Sequence, residues 1–148
     1  MRAVIQRVKH ASICVNGTPI AEIGRGLLAL IGIARDDTRE NLIWTARKIL
    51  DIRIFNDDEG KLNLSLHDIK GELLLVSQFT LYGDCRKGRR PSYTEASPPA
   101  EAEKLYDEFV QVVRQMKPDV KTGKFQAMMD VALINEGPVT IILDTRKT

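Results

Sequence analysis

Histidine, cysteine and tryptophan are scarce in this 148-residue chain, with two, two and one respectively. Cys14 and Cys85 are too few for a disulfide framework or a four-ligand zinc site. His10 and His67 stand far apart with no His-x-x-x-His spacing, so no metal centre is expected. Two unpaired thiols suit a reducing compartment, hence a cytoplasmic location. An excess of one charge is also missing: 22 basic residues face 20 acidic ones, a net charge of +2, so bulk charge is silent about nucleic acid. Long apolar runs are absent as well. The longest, Leu27 to Ala34, is interrupted by Gly32 and falls short of the ~20 residues a membrane span needs. The N-terminal stretch Met1 to Arg7 holds no apolar segment of signal-peptide length, and no membrane association is expected. With 43% hydrophobic and 28% charged residues, the chain suits one domain spanning residues 1–148 with a sizeable core.

The pattern along the chain predicts strands grouped around two helices. Ala3 to Val15 reads as a long strand closed by Asn16-Gly17, a pair that tolerates φ > 0 at both turn positions and so marks a hairpin. Thr18 to Ile23 returns, and Leu27 to Ile33 forms a third, largely buried strand. Gly24-Arg25-Gly26 is no phosphate loop, because a strand rather than a helix follows. Asp37-Thr38-Arg39-Glu40 has the form of a capping box. The repeat Leu42, Ile43, Ala46, Ile49, Leu50 then predicts an amphipathic helix to about Asp51. Ile52 to Phe55 and Leu62 to Ser65 are short strand candidates on either side of an acidic turn that lacks the ligand pattern of a calcium loop. Glu72 to Gln78 is a buried strand, and Tyr82 to Ser97 an irregular stretch. A second helix, capped by Ser97 and opened by Pro98 and Pro99, carries the stripe Ala102, Leu105, Phe109, Val112, Val113, Met116 up to Pro118. Strands at Val120–Thr122, Phe125–Ile134 and Val139–Leu143 complete an α+β domain. Its sheet is expected to be mostly antiparallel or mixed, and barrel-like.

Two segments put polar or backbone-exposing residues where a strand would otherwise only pack. Ser77-Gln78-Phe79-Thr80 ends the run Leu73 to Val76, and Asn135-Glu136-Gly137-Pro138 interrupts a second apolar run. Proline has no N–H to give a ladder, so Pro138 belongs at a bend or edge, and a Gly-Pro bond is a candidate for the cis form. Thr80 reads either as a local cap or as a nucleophile, but a nucleophile needs a base, and neither histidine is placed by sequence to serve. Consecutive N–H groups at Phe79 and Thr80, where the strand leaves its ladder, would instead suit an oxyanion. Gly137-Pro138 is either a tight hairpin bend or an acceptor wall of carbonyls. Phe125, Met128 and Met129 fit a core or a ligand platform. The cluster Arg86-Lys87-Gly88-Arg89-Arg90 fits a solvated loop or a phosphate contact.

The chain resembles the D-aminoacyl-tRNA deacylases nearly end to end. The resemblance rests on Ser77-Gln78-Phe79-Thr80-Leu81-Tyr82, Arg89-Arg90-Pro91-Ser92 and Asn135-Glu136-Gly137-Pro138-Val139-Thr140. Glu136 stands where the family often has Asp, Met128 where many members have Asp, and Gln126 where a small residue is common. The resemblance implies a homodimer with active sites at the subunit interface, a cis Gly137-Pro138 entering the partner's pocket, and Arg7 holding that segment. It implies hydrolysis of tRNA charged with a D-amino acid or glycine, at a site comprising Ser77, Gln78, Phe79 and Thr80. Phe125 and Met129 would line the site of the terminal adenosine. No metal or organic cofactor is implied. A non-catalytic module binding a tRNA end or nucleotide, and a purely structural dimer, are the competing readings.

Overall fold

In the computed structural model, which describes residues 1–147, eight strands and two long helices follow one another along the chain. Of the expected span 1–148, residue 148 lies outside the described residues. Strand β1 (Arg2–Val15) pairs antiparallel with β2 (Thr18–Ile23) through the Asn16-Gly17 turn, where φ is +50° and +76°. Its first half also pairs antiparallel with β3 (Gly26–Gly32). β3 then pairs in parallel with β6 (Glu72–Ser77), and β6 in parallel with β7 (Lys121–Thr122). The sheet is therefore mixed, in the order β2-β1-β3-β6-β7, with the long β8 (Asp130–Asp144) lying antiparallel along β1. Its outer edges nearly meet: the Lys121 ammonium on β7 donates to the Glu22 carbonyl on β2 at 2.6 Å, so the sheet is nearly closed into a barrel.

Period-two alternation divides the apolar residues of β3 and β6 between two cores. Leu27, Ala29, Ile31, Leu73 and Leu75 face the helices, whereas Leu28, Leu74 and Val76 join Val8, Ala11, Ile13 and Ile23 in the curl of the sheet. Strands buried on both faces read as continuous apolar runs, which is why both were conspicuous in the sequence. Parallel pairing brings the backbones together at Gly26, where an added Cβ would lie 1.9 Å from the Glu72 carbonyl oxygen. Helix α1 (Arg39–Asp51) buries Leu42, Ala46, Ile49 and Leu50, and helix α2 (Pro99–Met116) buries Ala102, Phe109, Val112 and Val113. Leu105 and Met116 are only partly buried beside them.

Several local expectations shift. The capping box lies one residue later than expected, with Thr38 as cap and Asn41, rather than an acidic residue, closing it. Ser97 does not cap α2: Pro98 is the cap residue, and the Ser97 N–H is taken by the Ile33 carbonyl at 3.0 Å. Ile52 ends α1, and the short strand β4 is only Phe55–Asn56, paired with β5 (Leu62–Leu64). Phe125 to Met129 is turn and loop rather than strand. Gly137-Pro138 is not a hairpin bend either. β8 continues through it as a bulge: from Gln6↔Thr140 to Val8↔Asn135, β1 advances two residues and β8 five. The surplus residues leave the ladder, so Pro138 needs no N–H there.

Candidate active site

The strand β6 ends at Ser77, and the chain turns at once into a 3₁₀ turn, Phe79–Tyr82. The Gln78 N–H still reaches the Ile31 carbonyl on β3, at 2.7 Å, which fixes where the ladder stops. A helical turn leaves its first N–H groups without internal partners. Those of Phe79 and Thr80 have no acceptor among the described residues, whereas the Leu81 N–H bonds the Gln78 carbonyl at 3.3 Å. The Gln78 side-chain amide donates to the Thr80 hydroxyl oxygen, which makes that oxygen an acceptor. Phe79 is 55% exposed and meets the Tyr93 ring edge-on, with centroids 5.1 Å apart.

Ser77, Gln78, Phe79 and Thr80 line a cleft of about 1040 Å³, together with Phe125, Gln126, Met128 and Met129 from one loop and Tyr93, Ser97 and Pro98 from the stretch before α2. The loop 125–129, which lies in the connection between β7 and β8, delivers its side chains there. Phe125 packs against the helix-side core and over Tyr106, with ring centroids 5.9 Å apart, while Met129 packs into the core of the curled sheet. Met128, left open as core or platform by sequence, is 89% exposed and is no core residue. Sequence reasoning missed Arg35 and Tyr93 in the lining. Tyr93 had a signal, since it follows directly on Arg90-Pro91-Ser92; Arg35 had none.

Among the described residues, the lining contains no carboxylate, histidine, lysine or cysteine. His10 pairs with Glu22 on the far strands, and neither it nor His67 borders the cleft. Among the described residues no group of three or more His, Cys, Asp or Glu gathers where it could hold a metal ion. Chemically the cleft offers main-chain donors, amide and hydroxyl groups, an arginine and apolar platforms.

Gly137, Pro138 and Arg7 lie together, but not in this cleft. The Gly137–Pro138 peptide is cis, with φ +135° at Gly137. The Arg7 side chain is nearly buried. Its Nε donates to the Glu136 carbonyl at 2.9 Å, and Nη1 donates to the Ile54 carbonyl at 2.7 Å and to Asn56 Oδ1 at 2.9 Å. The Glu136 carboxylate stands 3.7 Å from Arg7 and 3.4 Å from Arg25. Asn135 ties both flanks of the bulge, accepting from the Val139 N–H at 2.8 Å and donating to the Thr140 hydroxyl at 2.9 Å. The bulge thus presents an exposed Gly137-Pro138 from a fixed frame. The parts that Ile54 and Asn56 play in that frame escaped sequence reading, since a main-chain carbonyl has no residue signature and Asn56 read as a turn residue.

The family model described as D-Tyr-tRNA(Tyr) deacylase matches residues 4–144. Proteins named D-aminoacyl-tRNA deacylase from Thermosipho africanus and Desulfatibacillum aliphaticivorans are similar to the chain, at 57% and 58% identity. The first alignment covers 99% of each chain, the second 99% of this chain and 100% of the relative. Among solved structures, one titled c-Myc DNA Unwinding Element Binding Protein superposes with a TM-score of 0.93 at 43% identity, covering 98% of this chain and 99% of that one. Another, titled as a probable eukaryotic D-amino acid tRNA deacylase, superposes at 0.83 with 22% identity over 96% and 97% of the two chains, a likeness of fold.

Proposed function

The chain belongs to the D-Tyr-tRNA(Tyr) deacylase family, and we propose that it hydrolyses the ester joining a D-amino acid, or glycine, to the terminal ribose of tRNA, releasing free tRNA and amino acid in the cytoplasm. The observation that carries the mechanism is the pair of main-chain N–H groups at Phe79 and Thr80, unpartnered among the described residues and belonging to two residues that line a cleft in which no described residue is a carboxylate, histidine, lysine or cysteine. Water attacks the ester carbonyl, and the two N–H groups hold the oxyanion as charge develops on it. The adjoining ribose hydroxyl activates that water, supplying what no side chain in the lining offers. The leaving ribose oxygen takes up the proton. Ser77 and Gln78 shape the strand exit, and Phe125 and Met129 hold the adenosine.

Handedness is read by main-chain oxygens. One protomer's cleft lacks Gly137 and Pro138, while the bulge presents them outward. In a homodimer each protomer's Gly137-Pro138 closes the other's cleft. Carbonyls crowding one face of Cα admit a hydrogen but not a β-carbon. A D-residue turns hydrogen to that face, an L-residue its side chain, and glycine has hydrogen on both. Exclusion therefore rests on a clash, which leaves side-chain tolerance broad and glycine admitted. The exposed Ile134 and Ile142 on β8 give the second copy an apolar face beside the bulge.

A covalent Thr80 nucleophile is the competing mechanism. Thr80→Ala is expected to keep most single-turnover cleavage, and a substrate lacking the ribose hydroxyl to lose it; the reverse pair of results would refute the assisted route. A second reading, a nucleic-acid-end binder without turnover, draws on the neighbour titled for binding a DNA element. It predicts salt-sensitive binding with no ester cleavage.

A further inference from the structure

Residues 84–92 form a finger that runs directly into Tyr93 of the cleft lining. Asp84 and Ser92 exchange both main-chain bonds, at 2.8 and 2.9 Å, which pinches the finger at its base. Gly88, at φ +69° with open space around it, turns the tip. The Asp84 carboxylate takes two bonds from the Arg86 guanidinium, at 2.8 and 2.7 Å, and one from the Arg86 N–H at 3.0 Å. Those bonds hold its pKa down to about 2, so Arg86 is neutralised within the finger. Lys87, Arg89 and Arg90 are exposed, and their side chains meet no acceptor among the described residues. Three cations held close repel one another unless an outside anion gathers them. The finger's segment 85–90 carries no aromatic side chain on which a base could stack, so it suits phosphates rather than bases.

Its root leads through Ser92 to Tyr93, whose ring lines the cleft and meets Phe79. Lys87 to Arg90 stand three to six residues before Tyr93, so they lie within about 20 Å of the cleft along the chain. We propose that this finger grips the backbone phosphates of the RNA strand just 5′ of the nucleoside held in the cleft. The proposal rests on the reading that the cleft takes a tRNA terminus. Phosphate contact fixes the strand's position and carries no base sequence, so one finger would serve many tRNAs.

The test compares wild type with the triple variant Lys87→Ala/Arg89→Ala/Arg90→Ala, first in binding to uncharged tRNA. Losing three single-strand phosphate contacts removes about 2 from the log–log salt slope, so the wild type weakens about 20-fold more than the variant between 50 and 200 mM salt. Deacylation then separates the cleft from the finger. On D-aminoacyl-tRNA the variant raises KM and keeps kcat, whereas on the D-aminoacyl ester of adenosine, which has no phosphate, both enzymes act alike. An unchanged salt slope would overturn the proposal. So would an equal loss on both esters, which indicates a damaged cleft, or a changed oligomeric mass, which makes the finger an interface between copies. Should wild type cleave neither ester, the deacylase reading fails, and the salt slope of binding still decides on the finger.

Discussion

Replacing Arg7 with methionine tests how the Gly137-Pro138 segment is held. The substitution keeps much of the apolar stem but removes the donors that meet the Glu136 and Ile54 carbonyls and Asn56 Oδ1, at 2.9, 2.7 and 2.9 Å. The buried Ile54 carbonyl left without a donor costs about 1–3 kcal/mol, and the partly exposed Glu136 carbonyl and Asn56 Oδ1 about 0.5–1 kcal/mol each, so the lost network as a whole costs about 2–4 kcal/mol. The Glu136 carboxylate contributes differently. It is partly solvated and no closer than 3.4 Å to Arg25 or 3.7 Å to Arg7, so Glu136→Gln costs only about 0.5 kcal/mol. The main-chain oxygen of residue 136, which any residue supplies, is the one Arg7 grips. Urea unfolding midpoints at unchanged m-value give the stability difference, and cleavage of paired D- and L-aminoacyl substrates shows whether the segment keeps its aim. Arg7→Met is expected to lose both stability and discrimination, Glu136→Gln little of either. If Arg7→Met proves no more damaging than Glu136→Gln, the carbonyl brace is not what positions the segment.

Glycine substitutions separate steric contact from backbone conformation. Gly26→Ala drives a Cβ into the Glu72 carbonyl of the parallel partner strand and is expected to cost about 3 kcal/mol. Gly60→Ala, at φ +79° in open space, is expected to cost about 1 kcal/mol; denaturation midpoints would show the two alike if the close approach were unimportant. The pH dependence has a defined sign. Asp36 is held below the usual carboxylate range by Arg146, and Asp144 is too, because bonds from the Arg146 N–H and the Arg2 guanidinium outweigh the opposing effect of its burial. Depressed folded-state pKa values mean that the unfolded chain binds more protons, so this stability is present above about pH 4 and lost as pH falls below it. Melting temperatures flat from pH 6 to pH 3 would contradict that.

Much of the architecture was legible because burial writes periodicity into sequence. The runs of β3 and β6 and the stripes of both helices marked the core, and Asn16-Gly17 marked its hairpin. Strand direction was not written there: the two parallel pairings depend on where α1 and α2 return the chain, which no residue pattern states. Short β4 is held by the fully buried Phe55, by Arg7 and by its pairing with β5. At Gly137-Pro138, proline was correctly placed outside the ladder, but a bulge and a hairpin make the same local demand. Only the partner register on β1 separates them. The cleft's strand exit was readable because polar residues directly follow a buried run. The separation of Gly137-Pro138 from that cleft within one chain is a property of the tertiary fold that no local pattern carries.

The most direct measurement is amino-acid release from one tRNA charged in parallel with the D- and the L-form of the same amino acid, using wild type and Pro138→Ala. Rapid release of the D-form with the L-ester left intact, and a narrowed gap in the variant, is the expected result. Equal release of both forms by wild type, or discrimination untouched by losing the proline, would contradict the claim that peptide oxygens exclude one hand at the stereocentre.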